Sequence, residues 1–250
     1  MFQLRRRLRN GLTANLTYTY SKSLDDDLSL GGQGTVVTSG GNERVAQDWT
    51  NPAGNRGLST FDQRNVLSAS LQYTTGMGIG GRTLLSGWRG LIYKEWTAQL
   101  NISEASGTPL TPLTTLTVPG TSFQNIIRAS YGTQTGCSQQ AGEFLNPCKY
   151  VVPGSTGVPA GFGNARRDSI TGPSQFGLNA SLDRTFRIHD RYNVEARVDA
   201  NNVLNHVAYS GWNTTVVTVV PGTTTQPVQF GVPTGAGGMR SLTITLRGRF

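Results

Sequence analysis

The chain has 250 residues, of which 36% are hydrophobic and 14% charged, a length that suits one large β domain or two smaller ones. The low charge excludes a highly charged disordered tail, and no run of about 20 apolar residues is present that would cross a membrane as a helix. The net charge of +8 comes mostly from arginine, but the arginines are scattered along predicted strands and turns, which argues against nucleic acid as a partner.

Seven stretches of the chain alternate between apolar and polar residues, with the period of two that predicts β-strands. They cover residues 2–8, 12–21, 61–75, 96–103, 176–188, 192–201 and 242–250. Each stretch has one apolar face and one polar face. The alternation alone leaves open whether the apolar face contacts lipid or a protein core, since a sheet packed on a core has the same pattern.

The connections between these stretches alternate in length. The short ones cover residues 9–11, 76–90 and 189–191, and the long ones 22–60, 107–173 and 206–238. In an up-and-down sheet, alternate connections lie at opposite ends, so all long loops share one end, as is typical of outer-membrane barrels. The short connection 76–90 is rich in glycine and shows no helical pattern.

The predicted fold is therefore all-β. It is an antiparallel up-and-down transmembrane β-barrel segment of about seven strands, an incomplete barrel with long extracellular loops. Aromatic residues near the predicted strand ends agree with this fold, because such barrels carry aromatic girdles at both membrane interfaces. They are Tyr18, Tyr20, Tyr73, Trp96, Phe176, Phe186 and Tyr192.

Charged candidate residues lie on the polar face of the fifth and sixth predicted strands. They are Asp183, Arg187, Glu195, Arg197 and Asp199. Their alternating signs favour ion pairs across a hairpin.

The long loops hold the other candidates. Cys137 and Cys148 lie close together, and a disulfide that closes a small ring is favoured over two free thiols. The loop tryptophans Trp49 and Trp212 either stack on a ligand or pack the loop on itself. The run of three aspartates at 25–27 favours a solvated acidic loop tip over a cation site.

Several stretches resemble the C-terminal barrel of TonB-dependent outer-membrane receptors, in the branch that carries an N-terminal carboxypeptidase-regulatory-like domain. They are residues 163–173, with the pattern Asn-x-x-Arg-x-x-x-x-Gly-Pro, residues 176–186 and 195–206, and Phe230-Gly231. The resemblance implies uptake of a large scarce solute, such as a siderophore or a glycan, across the outer membrane of a Gram-negative bacterium. It also implies that the five charged residues line the lumen or contact a plug domain.

Further implications of the resemblance concern partners and domains. The implied partners are outer-membrane lipid and lipopolysaccharide, the plug domain, TonB, and the barrel-assembly machinery, which would recognise the terminal Phe250 as an assembly signal. Receptors of this class have about 22 strands, and the sequence shows neither a plug domain nor a TonB box. We therefore expect residues 1–250 to form the C-terminal part of a receptor barrel, as a fragment without the plug.

The sequence contains no catalytic constellation. Its two histidines, His189 and His206, lie far from any cysteine or carboxylate spacing suited to zinc, and no Gly-x-Ser-x-Gly motif is present beside a usable histidine. We therefore expect no enzyme activity, no catalytic or metal-binding residue and no cofactor. The alternative function is that of a structural or adhesive β-sheet surface protein outside the membrane.

Overall fold

The structure, a computed structural model, is dominated by one sheet of seven strands. It describes residues 1–7, 11–26, 48, 50–76, 87–114, 127–134, 136–139, 141, 143–155, 157–188, 192–217 and 230–249. The strands are β1 (Phe2–Arg7), β2 (Leu12–Tyr20), β3 (Asn65–Thr74), β4 (Trp96–Ala105), β5 (Gln175–Ile188), β6 (Tyr192–Asn201) and β7 (Ser241–Arg249).

The order of the strands in the sheet is their order in the chain, and every neighbouring pair is antiparallel. The sheet is thus an up-and-down meander, and the predicted seven strands and their connectivity are confirmed. All three long connections leave the sheet at one end, called here the loop end. The short connections lie at the opposite end, called the turn end.

One apolar face runs across all seven strands, because the register places apolar residues opposite one another. Leu16 of β2 lies opposite Leu4 of β1 and Ala69 of β3, and Ala69 lies opposite Ile102 of β4. This face is covered by no other part of the described chain at β7, where Leu242, Ile244 and Leu246 are 66%, 73% and 73% exposed. The other face carries the polar residues.

The connection between β3 and β4 contains a helix, α1 (Gly87–Tyr93), although the sequence shows no helical pattern there. Seven residues are too few to display a helical period, and tertiary contacts hold the helix in place. The indole Nε1 of Trp96 and the guanidinium Nη1 of Arg184 donate hydrogen bonds to the Ile92 carbonyl oxygen at 2.9 and 2.6 Å. Within the described residues, no helix is long and apolar enough to cross a membrane.

The hydrophobic core lies in the long connections rather than in the sheet. Among the described residues, its buried members are Ile127, Ala129, Leu145, Tyr150, Val151, Ala165, Val216 and Phe230. We call the described residues of the three long connections (21–26, 48–64, 106–174 and 202–240, with the gaps given above) the loop cap.

Short elements organise the loop cap. Its strands are Leu24–Asp25, Gly57–Leu58, Pro109–Leu110, Leu113–Thr114, Ile127–Arg128, Ser130–Tyr131, Tyr150–Val151, Ile170–Thr171, Tyr209–Trp212, Thr215–Val216 and Pro233–Ala236, and its 3-10 helices are Pro52–Asn55 and Pro147–Lys149. The predicted short strand at Tyr150 is present, and the one predicted at residues 116–118 lies outside the described residues.

Candidate functional site

A small three-stranded sheet joins two of the long connections. Thr215–Val216 of the third connection pairs in parallel with Leu113–Thr114 of the second, which pairs with Ile127–Arg128. The ring of Phe230, from the third connection, packs 5.7 Å from the ring of Tyr150 in the second. The loop cap therefore has a core shared between segments that are far apart in sequence.

Residues 163–168 lie at the centre of the loop cap. The backbone N–H of Ala165 donates to the Ala129 carbonyl at 2.9 Å, and the Asn164 Oδ1 accepts a hydrogen bond from the Tyr131 N–H at 2.8 Å. A Cβ atom at Gly163 would lie 1.9 Å from the carbonyl oxygen of Arg128. Only glycine permits this close approach of two backbones.

Two buried arginines bind the first long connection to the second. The Arg167 side chain is 1% exposed, forms an ion pair with the Asp25 carboxylate, and donates to the Asp25 carbonyl at 2.8 Å. Arg128 Nη1 donates to the Gly54 carbonyl at 2.7 Å. Burial lowers the pKa of Arg128, and the nearby positive charge of Arg167 lowers it further. The prediction of a solvated acidic tip is thus wrong for Asp25, whose partner lies 142 residues away.

Asp168 is a buried carboxylate beside this ion pair. Its backbone has φ 51°, in the left-handed region, and its N–H donates to the Thr111 hydroxyl oxygen at 2.9 Å. The Thr111 hydroxyl donates in turn to Asp168 Oδ1 at 3.0 Å. Burial raises the pKa of Asp168, while the Thr111 hydrogen bond and the charge of Arg167 act in the opposite direction.

The corner after β6 joins three strands at the loop end. Asn202 and Asn205 have φ values of 50° and 51°, which asparagine adopts more readily than most residues. The Asn202 side chain donates to the carbonyls of His206 and Gly238 at 2.8 and 3.1 Å, and its N–H donates to Asn179 of β5 at 3.0 Å. His206 thus belongs to a structural corner, with its ring 6.5 Å from that of Phe176.

Cys137 and Cys148 are joined by a disulfide with a Cα–Cα distance of 5.5 Å. The bond closes the hairpin in which Ser130–Tyr131 pairs with Tyr150–Val151. Because Tyr150 and Val151 are buried, the disulfide holds part of the cap core in place. Burial also raises the pKa of the Tyr150 hydroxyl.

Three aromatic side chains of the loop cap form a group that we call the aromatic cluster: Phe144, Tyr209 and Trp212. Their ring centroids lie 5.2 to 5.9 Å apart. Trp212 therefore packs its loop on a neighbouring loop, while Phe144 is 51% exposed. Trp49, the other tryptophan predicted as a ligand contact, lies outside the described residues, as does Phe250.

The charged residues predicted on the polar face do share that face. Asp183 lies directly opposite Arg197 across β5 and β6, yet the Arg197 guanidinium pairs with Asp199 on its own strand at 2.8 Å. Glu195 lies 3.9 Å from Arg247 of β7, so one ion pair does cross between strands. Arg187 faces Asn193 by backbone register, and its side chain is outside the described part of the chain.

The remaining polar face is lined by amides and hydroxyls. Asn15, Ser70, Asn101 and Asn179 follow one another in register across β2 to β5. They border a shallow cavity of about 240 Å³. This side of the sheet is suited to water or to polar groups rather than to lipid.

The model of a family described as outer membrane beta barrel domain matches residues 1–243. The chain belongs to the outer membrane beta barrel domain family. No curated protein and no solved structure matches it. The protein is located in the outer membrane. In barrels of this kind the long loops are extracellular, the short turns face the periplasm and an apolar band faces lipid.

Three charged residues depart from the two-faced pattern of the described sheet, because Arg6, Glu104 and Arg184 are in phase with the apolar positions. The strand prediction did not single them out. Arg184 of β5 is in register with Trp96 and Ala196 on the apolar face, and is only 7% exposed. Its guanidinium carbon lies 4.5 Å from the ring centroid of Phe186 and 5.2 Å from that of Trp96. A charged residue in phase with the apolar positions was the sequence signal that could have identified it.

Proposed function

We propose that this chain forms C-terminal strands and extracellular loops of a TonB-dependent outer-membrane transporter, which takes up a large scarce solute such as a siderophore or a glycan. The observation that carries the proposal is that the long loops are joined to one another in the loop cap. Three extracellular loops that are interlocked through buried arginines and a shared core present a fixed surface, as a receptor for a rare solute requires. Loops that only connect strands need no such core.

The residues that carry the resemblance to these receptors also support the proposal. Residues 163–168 lie at the centre of the loop cap, and the segment 202–206 ties β6 to the start of β7. The shared sequence therefore coincides with the contacts that shape the extracellular surface. A common receptor architecture explains why these residues occur together.

Within this function, the aromatic cluster is the proposed contact for solute. Its rings are held in place by one another, and the exposed half of Phe144 offers a face on which a sugar ring or an aromatic chelate stacks. Trp49 is a second proposed contact. The charged residues of the polar face, from Asp183 to Asp199, would line the lumen or contact a plug domain that TonB acts upon.

An open sheet supports the proposal that these strands belong to a larger barrel. Among the described residues, β1 pairs only with β2 and β7 only with β6. Unpaired backbone groups at a sheet edge are costly in lipid, so membrane sheets close on themselves. Additional strands of a receptor barrel would pair with these edges. The barrel-assembly machinery would insert the complete barrel into the membrane and would recognise Phe250 as the assembly signal.

Uptake measurements test the proposed function. Cells that carry the intact protein are supplied with labelled ferric siderophores and labelled oligosaccharides, in the presence and absence of TonB. We expect accumulation of one probe that requires both the protein and TonB. The double variant Phe144→Ala/Trp212→Ala should lose most of this uptake while its level in the outer membrane is unchanged.

The matched control is Phe61→Ala, which removes an aromatic residue that is 45% exposed in the first long loop, outside the aromatic cluster. This variant should take up the probe normally. Binding of a probe to cells with no accumulation, regardless of TonB, would instead support an adhesive or structural role for the barrel. Absence of any effect of gene deletion on the probes would refute the transport proposal for these two solute classes.

A further inference from the structure

The positive charge of the protein is concentrated at the turn end. Among the described residues, this half comprises α1, the residues that join it to β4 and the adjoining halves of the strands, and it contains nine Arg and Lys residues but three Asp and Glu residues. The basic residues are Arg5, Arg6, Arg7, Arg89, Lys94, Arg184, Arg187, Arg247 and Arg249. The acidic residues are Glu95, Asp183 and Glu195. The described residues of the loop end, with nine basic and eight acidic residues, are close to neutral.

Helix α1 lies over the lipid-facing side of this periplasmic end. Its last turn is held by Trp96 and Arg184, which both belong to the apolar face and both donate to the Ile92 carbonyl. The Thr75 hydroxyl also donates to the Tyr93 carbonyl, at 2.5 Å. The helix is thus attached to the rim of the barrel on the side that meets lipid.

The free surface of α1 has an amphipathic composition. Trp88, Ile92 and Tyr93 are 69%, 48% and 59% exposed. Arg89 is exposed with its guanidinium carbon 5.5 Å from the Trp88 ring, and Lys94 follows at the end of the helix. Tryptophan and tyrosine favour the depth of lipid headgroups, and basic residues beside them favour anionic headgroups.

We propose that α1 and its basic neighbours form a binding surface for anionic phospholipid headgroups in the periplasmic leaflet. Trp88, Ile92 and Tyr93 enter the interface between headgroups and acyl chains, and Arg89 and Lys94 bind the phosphates. Arg184 is a positioning residue, because it holds the helix against the rim. Lipid is the proposed occupant because the helix is attached to Trp96 and Arg184, which lie on the apolar face of the sheet.

Thermal unfolding in lipid nanodiscs tests the proposal. The protein, purified from outer membranes, is placed in discs of phosphatidylcholine alone or of phosphatidylcholine mixed with anionic phosphatidylglycerol. A lipid that binds the folded state raises its unfolding temperature by mass action. We expect a higher unfolding temperature in the anionic discs, and loss of most of this difference in Arg89→Gln/Lys94→Gln and at high salt.

The control variant Arg56→Gln/Arg166→Gln removes the same charge from two exposed arginines of the loop cap, and should retain the full difference. Inorganic phosphate added to the phosphatidylcholine discs should not reproduce it, since the proposed ligand is the lipid surface. Equal losses in the two double variants, or an unchanged difference in Arg89→Gln/Lys94→Gln, would overturn the proposal.

A second measurement reports the depth of the helix. Phosphatidylcholine brominated near the headgroup should quench the fluorescence of Trp88, measured as the difference between the native protein and Trp88→Phe. Quenching by the headgroup region and none by bromines at the bilayer centre is expected. A Trp88 signal that no brominated lipid quenches would place the helix in water and contradict the proposal. Neither result depends on which solute the barrel transports.

Discussion

Asp168 shows how a single buried carboxylate couples the loop cap to pH. It is 3% exposed, and its Oδ2 lies 3.8 Å from the Arg167 Nε, a long distance for an ion pair. Burial outweighs the favourable contacts, so the folded loop cap holds the Asp168 proton more tightly than the unfolded chain does. The protonated Asp168 carboxyl group therefore stabilises the folded loop cap relative to the unfolded chain. This stabilisation is fully present below the ordinary pKa of 3.8 and is lost as pH rises through the raised pKa of the folded state.

We therefore predict that Asp168→Asn removes one step in the pH dependence of cap stability. The stability of the native loop cap should fall as pH rises from about 4 through the raised pKa, whereas the variant should show no such fall. Asparagine keeps an oxygen for the Thr111 hydroxyl and tolerates the positive φ. Hydrogen exchange of the amides around Ala165, measured from pH 4 upward and corrected for intrinsic exchange, reports this stability.

The control is Asp26→Asn, which changes an exposed aspartate of the first long loop. It should leave the pH dependence as it is in the native protein. If the Asp168→Asn variant follows the native curve at every pH, then burial does not raise the pKa of this carboxyl group in the folded loop cap.

At the scale of an element, the hairpin closed by Cys137 and Cys148 is the clearest local unit. Its backbone is also held by hydrogen bonds from the Gln134 side chain to the Tyr150 carbonyl at 2.8 Å and from the Cys148 N–H to Asn146 at 2.9 Å. The disulfide spans 11 positions in sequence. Chain-entropy arguments assign a ring of this size a stabilisation of about 3 kcal/mol.

The double variant Cys137→Ser/Cys148→Ser is predicted to loosen the loop cap without unfolding the sheet. Amide exchange at Tyr150 and Val151 should accelerate by up to about 100-fold, as expected for the loss of about 3 kcal/mol. Heat-modifiable migration on a gel, which reports the barrel, should stay as in the native protein. Native exchange rates at Tyr150 in the variant would show that the hairpin does not depend on the disulfide.

An element could be predicted from the sequence where neighbouring residues specify it, and could not be predicted where residues distant in the sequence stabilise it. The seven strands follow from alternation over about ten residues, a strong local signal, and their order follows from the lengths of the connections. Helix α1 could not be predicted, because its stability comes from Arg184 and Trp96 rather than from its own seven residues. Likewise, nothing local to Asp25 indicates a partner such as Arg167.

The charged face shows a similar limit. Alternation placed Asp183, Glu195, Arg197 and Asp199 on one face, which depends only on the period of two. The choice of partner depends on side-chain conformation, and Arg197 binds Asp199 along its own strand through three hydrogen bonds of 2.8 to 2.9 Å. A sequence pattern cannot distinguish that arrangement from a pair with Asp183 across the hairpin.

For the whole molecule, two parts are stabilised by different surroundings. The loop cap has its own buried core and needs no membrane to bury it. The sheet exposes its apolar face, for example Leu242, Ile244 and Leu246, and we expect lipid to cover it. Substitutions in the loop cap should therefore change the order of the loops, and substitutions on the apolar face of the sheet should change insertion of the barrel into the membrane.

Adjacent residues of β7 provide the sharpest test of this two-sided arrangement. Ile244 lies on the apolar face opposite Val198, and Thr243 lies on the polar face opposite Asp199. We predict that Ile244→Arg destabilises the barrel by about 2–4 kcal/mol, because an arginine at mid-depth must be taken into lipid. Thr243→Arg introduces the same side chain beside a carboxylate on the wet face and should change stability by less than about 0.5 kcal/mol.

The free energy of unfolding in bilayers, measured by urea titration, and the amount of heat-modifiable protein in outer membranes check both values. A loss that is equal in the two variants would mean that both faces of β7 meet the same environment. In that case the apolar face would be buried against protein rather than lipid. A loss confined to Ile244→Arg would assign the apolar face to lipid, independently of any transported solute.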